Sequence, residues 1–442
     1  MKRRLFIGSA AGTAALSAGI SGCAGDETGG ESAMRADGNA SPEIGLLGGK
    51  NIGEIKAQYE YDLFEDYVPF HNTYVVEPKY GSFLANTDHD GSHADTNTNA
   101  SYMGRGIWCY SFLYNNLEKD TKYLDIAWKA VQFMMKHRPS GDDFWPGEYS
   151  MEGEVLSPSG GYAGDCYIAE GLAEFSKATG DPKYMDIAKE TIFKCLGHYD
   201  RPDFKDGSIP YPGARSLWYW MLLMWFGTNT LGHEPDSDLE SLVARCVDTI
   251  MNHHQHPDFE LMNNYINHDL SRSEDPKHSE LAGCGHATEA TWMIMYEAVR
   301  SNNKPLFDKA ADIFRRHALV SRDDVYGGYF NDLINVDENN WQLSKISWAQ
   351  TFILINSLYI VEQTGETWAK DVFADQFDWI QEHLPLKKHG FALWLDPRDR
   401  KATFVPKSTR KDNYHHSRHL MLNLMSLRRI EANDGNVSGV FG

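Results

Sequence analysis

The octapeptide Asp120-Thr-Lys-Tyr-Leu-Asp-Ile-Ala127 returns 61 residues later as Asp181-Pro-Lys-Tyr-Met-Asp-Ile-Ala188. Each copy follows a polar turn and begins a segment with apolar residues at helical spacing. Looser copies begin at Asn303 and Gly365, each after the end of an apolar helix. A period of about 60 residues fits one helical hairpin with its loops, and roughly six such hairpins fit between residues 52 and 431. The repeat therefore predicts an all-α body.

The arrangement of the hairpins follows from their number. Six hairpins in a ring form a double-layered (α/α)6 barrel, and an open superhelical solenoid is the alternative. Three segments rich in Asp, Gly and Asn, at 79–91, 325–340 and 389–399, predict short β-hairpins between helices. We expect them to cluster at one end of the barrel and to form the mouth of a cleft.

The first 22 residues have the layout of a bacterial signal peptide. Lys2-Arg-Arg4 precedes an apolar stretch that ends at Ile20, and Ile20-Ser-Gly-Cys23 has the form of a lipobox. The apolar stretch is too short for a stable membrane helix. The paired arginines also fit a twin-arginine signal, with an ordinary secretory signal as the alternative. The sequence predicts export and a lipid on Cys23 that anchors the protein to the periplasmic or surface side of a membrane.

Between the signal and the barrel, residues 23–51 are rich in Gly, Ser, Ala, Asp and Glu without periodic apolar positions, which predicts a flexible tether. The barrel is predicted over residues 52–431, and residues 432–442 form a tail. Five further cysteines stand at 109, 166, 195, 246 and 284 without a C-x-x-C pair, which favours buried free thiols.

The composition narrows the class of partner. A formal net charge of −20 argues against nucleic acid and against an anionic membrane surface. The chain contains 12 Trp and 22 Tyr, and sugar rings stack on aromatic planes. A large aromatic core would explain the same content.

Two helix starts carry a histidine with a charged neighbour. His286 and Glu289 in Gly285-His-Ala-Thr-Glu289 are three residues apart and share a helix face, and so do His415 and Arg418 in Tyr414-His-His-Ser-Arg418. Histidine titrates near neutral pH, so two of them brought together from distant helices would form an acid–base pair. Glu289 can orient the imidazole or bind a sugar hydroxyl, and Glu289 and Arg418 are both candidates for substrate binding. A purely structural role for each histidine is the alternative.

Two more helix starts are candidates for substrate contacts. Arg105 lies in Gly104-Arg-Gly-Ile-Trp108 and must face a cavity or an ion-pair partner, because an unpaired buried guanidinium is costly. Trp348 lies in Ser347-Trp-Ala-Gln350 and offers an aromatic platform, with core packing as the alternative.

Loop segments supply weaker candidates. Asn264 and Tyr265 lie where a substrate-facing loop is expected, and Trp394 closes the third predicted hairpin. His253, His254 and His256 could suggest a metal cluster, but they lack the ligand spacing of a defined site, so a solvated loop is favoured.

Taken in order, these motifs resemble the N-acylglucosamine 2-epimerase superfamily, which includes cellobiose and mannobiose 2-epimerases and aldose–ketose isomerases. The resemblance runs from about Tyr80 to Leu427. Its motifs are Tyr80-Gly-Ser-Phe with Asp88-His-Asp-Gly91, Arg105-Gly-Ile-Trp108, Asp165-Cys-Tyr to Asp181, Gly285-His-x-x-Glu289, Ser347-Trp-Ala-Gln350 and Tyr414-His-x-x-Arg418.

The resemblance implies an (α/α)6 barrel and proton transfer by two histidines at carbon 2 of an aldose or reducing-end sugar, through an enediolate. Carried over by position, His286 and His415 are the acid–base pair, and Arg105 holds the oxyanion or a hydroxyl. Glu289 would orient His286, and Trp348 would stack on the sugar ring. The resemblance requires no cofactor and no metal.

Two other functions fit the sequence. A polysaccharide lyase on a related helical barrel would cleave a uronate-containing glycan by β-elimination, with Asn263, Asn264, Tyr265 and His268 at its site. A surface lipoprotein suits that role. A non-catalytic sugar-binding lipoprotein is the third possibility. All three take a mono- or oligosaccharide as ligand.

Overall fold

The structure is a computed structural model that describes residues 42–386, 394–405 and 412–441. Within these ranges the chain is mostly helical. In chain order the helices are α1 (Ile52–Tyr61), α2 (Val68–Tyr74), α3 (Ala100–Asn116), α4 (Thr121–Met135), α5 (Gly161–Thr179), α6 (Pro182–Tyr199), α7 (Leu217–Leu231), α8 (Ser237–Asp248), α9 (Pro276–Ser279), α10 (Cys284–Arg300), α11 (Lys304–Ser321), α12 (Ser347–Thr364), α13 (Thr367–His383) and α14 (His415–Ala432).

The long helices form two concentric layers. The inner layer is a closed ring of α3, α5, α7, α10, α12 and α14, in which each helix packs on the next and α14 also contacts α3. In the outer layer, α4, α6, α8, α11 and α13 each pack on the inner helix that precedes them, and α1 packs on α14. A π-helical segment, Asp62–Tyr67, joins α1 to α2, and a second, Thr249–His253, extends α8. The predicted (α/α)6 barrel is confirmed.

The apolar pattern of a helix determines its layer. The α7 sequence begins Leu-Trp-Tyr-Trp-Met-Leu-Leu-Met-Trp-Phe, and α12 is likewise apolar around its whole circumference. A helix without a polar face is stable only when it is surrounded by protein, so both lie in the inner ring. In contrast, α8 and α11 have one apolar and one charged face and lie outside.

The repeated octapeptide marks the start of the outer helices. Asp120, Asp181 and Asn303 are the N-cap residues of α4, α6 and α11, and their side chains accept hydrogen bonds from backbone N–H groups of the first turn. Gly365 is the left-handed C-cap of α12, directly before α13. The inner helices α3, α5, α7, α10 and α12 each pass to the outer helix that follows through a short turn.

The connections from outer to inner helices are long and carry every strand in the described ranges. The strands are β1 (Val76–Glu77), β2 (Ser82–Phe83), β3 (Thr98–Asn99), β4 (Glu148–Tyr149), β5 (Val155–Ser157), β6 (Arg215–Ser216), β7 (Tyr265–Ile266), β8 (Asp332–Asn335) and β9 (Asn340–Gln342). They pair antiparallel as β1–β2, β3–β4–β5, β6–β7 and β8–β9. All of these loops lie at the end of the barrel where the inner helices begin.

Two predicted hairpins form with shifted strands. β1 and β2 flank the turn that contains Tyr80 and Gly81, and β8 and β9 flank the turn at Asp337. In the third segment, residues 389–393 lie outside the described ranges, and Trp394 forms a bridge with Pro385. The sequence missed the pairings of β3 with β4 and of β6 with β7, because the paired residues are about 50 positions apart in the chain.

The inner ring depends on glycines where α3 meets α5. A Cβ added to Gly104 would lie 2.3 Å from the carbonyl carbon of Tyr167, and one added to Gly171 would lie 2.5 Å from the carbonyl oxygen of Gly104. We expect Gly104→Ala to lower the free energy of unfolding by about 1–3 kcal/mol, because the two backbones must move apart. Urea denaturation measures this loss. Gly197→Ala in α6 is the control, since a Cβ added there meets no atom within 4 Å beyond its own helix backbone and chain neighbours. This change should not lower the free energy of unfolding.

Parts of the predicted tether and tail belong to the folded body. Ile44 and Leu47 are buried, and the backbone N–H of Ile44 donates to Gly435 O at 3.0 Å. Val437 is also buried, and its N–H donates to Pro42 O. The prediction of a flexible tether is therefore corrected for residues 42–50, and residues 433–441 of the tail also pack on the barrel. A few apolar side chains suffice to dock these polar stretches, while residues 23–41 lie outside the described ranges.

The five cysteines at 109, 166, 195, 246 and 284 are buried free thiols, as predicted. None of the helices in the described ranges combines the length and the apolar character that crossing a membrane requires.

Candidate active site

Each inner helix places one chemically distinctive side chain near its first turns, at the end of the barrel that carries the long loops. We name this set the mouth ring. Its members are Arg105 of α3, Tyr167 of α5, Trp218 of α7, His286 of α10, Trp348 of α12 and His415 of α14. Arg105 and Tyr167 are buried, whereas the other four are partly exposed.

In one half of the mouth ring, the guanidinium group of Arg105 packs on two tyrosine rings. The Arg105 guanidinium carbon lies 4.0 Å from the centroid of the Tyr167 ring and 5.2 Å from that of Tyr414. Trp218 Nε1 donates to the Tyr167 hydroxyl at 3.4 Å. Within the described ranges, Arg105 forms no ion pair and its Nε has no hydrogen-bond partner. A buried guanidinium with an unused donor can hold an oxyanion or a sugar hydroxyl.

The other half brings the two predicted histidines to one tryptophan. The centroid of the His286 ring lies 5.4 Å from that of Trp348, and the centroid of the His415 ring lies 6.0 Å from it. On its other side, His286 stacks in parallel with Trp218, with 6.1 Å between centroids. Residues 129 positions apart in the chain thus share one aromatic platform.

Glycines make the start of α10 narrow enough for this arrangement. A Cβ on Gly285 would lie 2.2 Å from Asn331 Oδ1 and 2.9 Å from the Trp348 ring, and a Cβ on Gly283 would lie 1.8 Å from Asn264 Oδ1. The Gly-His motif therefore lets Trp348 approach the helix backbone directly beside His286.

The carboxylate of Asp412 contacts the ring of His415. Asp412 Oδ2 lies 3.3 Å from His415 Nδ1, and the side chain of His415 is 14% exposed. Burial lowers the pKa of His415 below its ordinary value, while the Asp412 charge and hydrogen bond oppose this effect. His415 is thus neutral at neutral pH and available as a base.

Glu289 does not orient His286, which corrects the prediction. No ion pair or hydrogen bond in the described ranges joins the two side chains. Instead, Glu289 Oε1 accepts from Nη2 of Arg418, whose Nη1 donates to the Tyr414 hydroxyl at 3.0 Å. Arg418 is 1% exposed and packs on Trp292. The hydrogen bonds of Arg418 are made within the core, so we assign it to positioning rather than to sugar binding.

Tyr414 links this ion pair to a second carboxyl group. Its hydroxyl lies 2.7 and 2.8 Å from the two oxygens of Glu170, and Trp225 Nε1 donates to the same group at 3.0 Å. Burial raises the pKa of Glu170 to about 7, although the nearby Arg418 charge lowers it. This buried network fixes Tyr414, the residue directly before His415.

The predicted loop residue Asn264 lies against the start of α10. Burial raises the pKa of Asp332, and the neighbouring His286 and the Asn331 and Asn264 amides oppose that rise. Burial and the Asp332 charge raise the pKa of Tyr265, which keeps its phenol protonated at neutral pH. Asn264 packs against Gly283 at the start of α10, and the Tyr265 ring lies edge-on to that of His278 with 6.0 Å between centroids.

Other candidate residues form contacts away from the mouth ring. The Asn263 side-chain amide donates to the backbone oxygens of Ser279 and Leu281, so it serves the loop and not a lyase site. Trp394 is buried against His416 and His419, with centroid distances of 4.1 and 4.9 Å. That face of α14 turns toward α1, where His419 contacts the Tyr59 hydroxyl, so the structure gives no support for the predicted role of Trp394 in substrate binding.

The three clustered histidines have separate partners. His254 Nδ1 lies 2.8 Å from Asn263 O, and burial lowers the pKa of His254 to about 4. His256 stacks on Phe259 with 3.9 Å between centroids, and His253 lies near Asp248. No three His, Cys, Asp or Glu side chains within the described ranges are grouped as metal ligands.

Several site residues were missed from the sequence. Tyr167 lies in a quoted motif, and Glu170 is a charged residue inside an apolar helix, which is a usable signal. Trp218 lies in a run of apolar residues, and this pattern predicts a buried helix without indicating a binding residue. Asp412 precedes His415 by three residues, and this spacing could have suggested an N-terminal cap.

Comparison with known proteins identifies the family. The family model "N-acylglucosamine 2-epimerase (GlcNAc 2-epimerase)" matches residues 81–418. The N-acylglucosamine 2-epimerase of Bos taurus is 23% identical over 313 residues, which cover 66% of this chain and 71% of that protein. The cellobiose 2-epimerase of Dictyoglomus turgidum is 23% identical over 314 residues, covering 66% and 77%.

A solved structure supports the same fold. The structure of cellobiose 2-epimerase from Bacillus thermoamylovorans B4167 superposes with a TM-score of 0.72 at 15% identity, covering 84% of this chain and 99% of that one. The match of the family model spans the barrel from the first hairpin through the helix that carries both His415 and Arg418. The chain belongs to the N-acylglucosamine 2-epimerase family.

Proposed function

We propose that the protein is a carbohydrate isomerase that inverts carbon 2 of an aldose or reducing-end sugar, or converts the aldose to its ketose. The observation that carries this proposal is that the rings of two histidines, His286 and His415, both lie against the ring of Trp348. Family membership supports the class of reaction.

The chemistry follows from the charges around the mouth ring. Carbon 2 of an open-chain aldose is acidic because the adjacent carbonyl takes up the electrons of the broken C–H bond. One neutral histidine accepts this proton, and the resulting enediolate is held by Arg105. Return of a proton to the opposite face of carbon 2 gives the epimer, and return to carbon 1 gives the ketose. Trp348 lies where a sugar ring can stack between the two bases.

A panel of free sugars tests the function. Purified protein is incubated with aldohexoses, N-acylhexosamines and β-linked disaccharides, and the products are separated by anion-exchange chromatography. We expect one sugar class to yield its C2 epimer or its ketose. An unsaturated uronate product from alginate or glucuronan would instead establish a lyase, and tight sugar binding without any product would establish a binding protein.

We also propose export and lipid attachment at Cys23, on the strength of the lipobox sequence. Cys23→Ala in cells of the native host type should move the protein from the membrane fraction to the soluble fraction, because a diacylated N-terminus is lost. Fractionation and immunoblotting measure the change. Cys109→Ala, which alters a buried thiol, is the control and should leave the distribution unchanged. A Cys23→Ala protein that stays in the membrane fraction would contradict lipidation.

A further inference from the structure

Asp412 lies just before the N-terminus of α14, and its carboxylate contacts both the helix backbone and the His415 ring. Asp412 Oδ1 accepts from the backbone N–H groups of Tyr414 at 3.0 Å and His415 at 3.2 Å. Asp412 Oδ2 accepts from the His416 N–H at 3.3 Å and lies 3.3 Å from His415 Nδ1. One carboxylate thus caps the helix and contacts the imidazole.

This contact selects one tautomer of His415. An ionised carboxylate can only accept hydrogen bonds, so the nitrogen that faces it must carry a proton. With Nδ1 protonated, a neutral imidazole has its lone pair on Nε2, at the edge of the ring that points away from Asp412. Nε2 is therefore the basic nitrogen.

The surroundings keep Asp412 ionised. Burial works against its charge, but His415, Arg105 and the backbone donor of Tyr414 outweigh burial and hold the pKa of Asp412 well below its ordinary value. The charges that face His415 are Asp412, Arg105 from α3 and Arg418 from α14, while α12 presents only the rings of Trp348 and Phe352. Asp412 is the one anion among them, and it offsets the effect of both guanidinium groups.

We propose that Asp412 is a positioning residue for the reaction assigned above: it fixes His415 as the Nδ1-protonated tautomer and stabilises the imidazolium that forms during turnover. In that step the C2–H bond breaks, an Nε2–H bond forms, and the electron pair enters the enediolate. In isomerisation the Nε2–H bond then breaks, a C–H bond forms at carbon 1 and the hydroxyl proton passes from O2 to O1. In epimerisation His286 supplies the proton to the opposite face of carbon 2 while His415 keeps the proton it took, so no other reactant is needed. The inference rests on the proposed function.

Asp412→Asn separates this role from helix capping. The Asn oxygen can still accept from the N–H groups of Tyr414 and His415, whereas the amide nitrogen in place of Oδ2 loses the His416 N–H and donates toward His415, which favours the wrong tautomer. We expect kcat to fall by about 10²–10⁴-fold, as when the carboxylate behind a catalytic histidine is neutralised. We also expect the acid limb of kcat/KM to move to lower pH, because loss of the anion lowers the pKa of His415 further.

A matched control tests for simple damage to the fold. Asp181→Asn changes the N-cap of α6 at the opposite end of the barrel, where Oδ1 accepts from Lys183 N. This variant should keep wild-type kcat and an unshifted pH profile. A capping role alone for Asp412 predicts that Asp412→Asn, whose oxygen still caps the helix, keeps wild-type kcat per folded molecule and an unshifted acid limb, and that result would overturn the proposal.

A second measurement needs neither turnover nor a folded Asp412 variant. In the wild-type protein labelled with ¹⁵N-histidine, long-range ¹H–¹⁵N spectra distinguish the two tautomers, and His415→Gln identifies the relevant signals. We expect protonated Nδ1 and unprotonated Nε2 at neutral pH. The opposite tautomer would refute the inference even in an active enzyme. If the expected tautomer is found but no sugar is converted, the proposed function is contradicted, while the pairing of Asp412 with His415 stands.

Discussion

His415→Ala and His286→Ala are each expected to lower kcat for the sugar conversion by about 10²–10⁴-fold, which is the usual contribution of a positioned acid–base group. Both residues lie on Trp348, and His415 is held neutral by burial, so each can exchange a proton with a sugar stacked between them. Steady-state rates on the active sugar from the panel measure the loss.

The fold should survive both changes. His286 and His415 are partly exposed at the mouth of the barrel, and neither supports the buried core. Far-UV circular dichroism and the midpoint of thermal unfolding should therefore stay near wild-type values. His253→Ala is the control, because this side chain is 38% exposed and pairs loosely with Asp248 at 3.7 Å. Equal losses of activity in all three variants, or none, would argue against the two-histidine mechanism.

The largest effect on stability is expected at Glu289. Its ion pair with Arg418 is almost fully buried, with side-chain exposures of 8% and 1%. Glu289→Leu leaves a guanidinium that cannot lose its charge inside the core, and removing one partner of such a pair costs about 3–5 kcal/mol. Arg418→Met should cost less, because the remaining Glu289 can take up a proton. The free energy of unfolding in urea measures both.

The double variant Glu289→Leu/Arg418→Met should regain much of the loss, since the guanidinium is gone and the remaining buried carboxyl, Glu170, can take up a proton. Asp200→Ala is the control. Arg245 binds Asp200 through two contacts of 2.6 and 3.0 Å, but both side chains are about half exposed, so its loss should cost at most about 1 kcal/mol. If Glu289→Leu were no more costly than Asp200→Ala, the buried pair would not hold the site together.

The barrel was predictable because its information is local and repeated. The capped octapeptide at 120 and 181 marks outer helices, and the apolar character of α7 and α12 marks inner ones. The docking of Ile44 and Val437 was not predictable, because isolated apolar residues in a polar stretch carry no period. Pairing of strands across distant loops also leaves no local pattern.

The positions of the candidate site residues were predictable, whereas several of their contacts were not. His286, His415, Arg105 and Trp348 each stand at a helix start, and the closed ring brings them together. The partner of Glu289 could not be inferred, because Arg418 is 129 residues away while His286 shares its helix face. Spacing along one helix suggested the wrong neighbour, and a long-range ion pair prevailed because a buried guanidinium requires a counter-charge.

The most direct measurement is proton NMR of the conversion in heavy water. If His286 and His415 exchange protons with the sugar through an enediolate, deuterium replaces hydrogen at carbon 2 or carbon 1 of the product, and His415→Ala abolishes this incorporation. A product that forms at full rate and retains the original carbon-bound hydrogen would contradict proton transfer to the histidines.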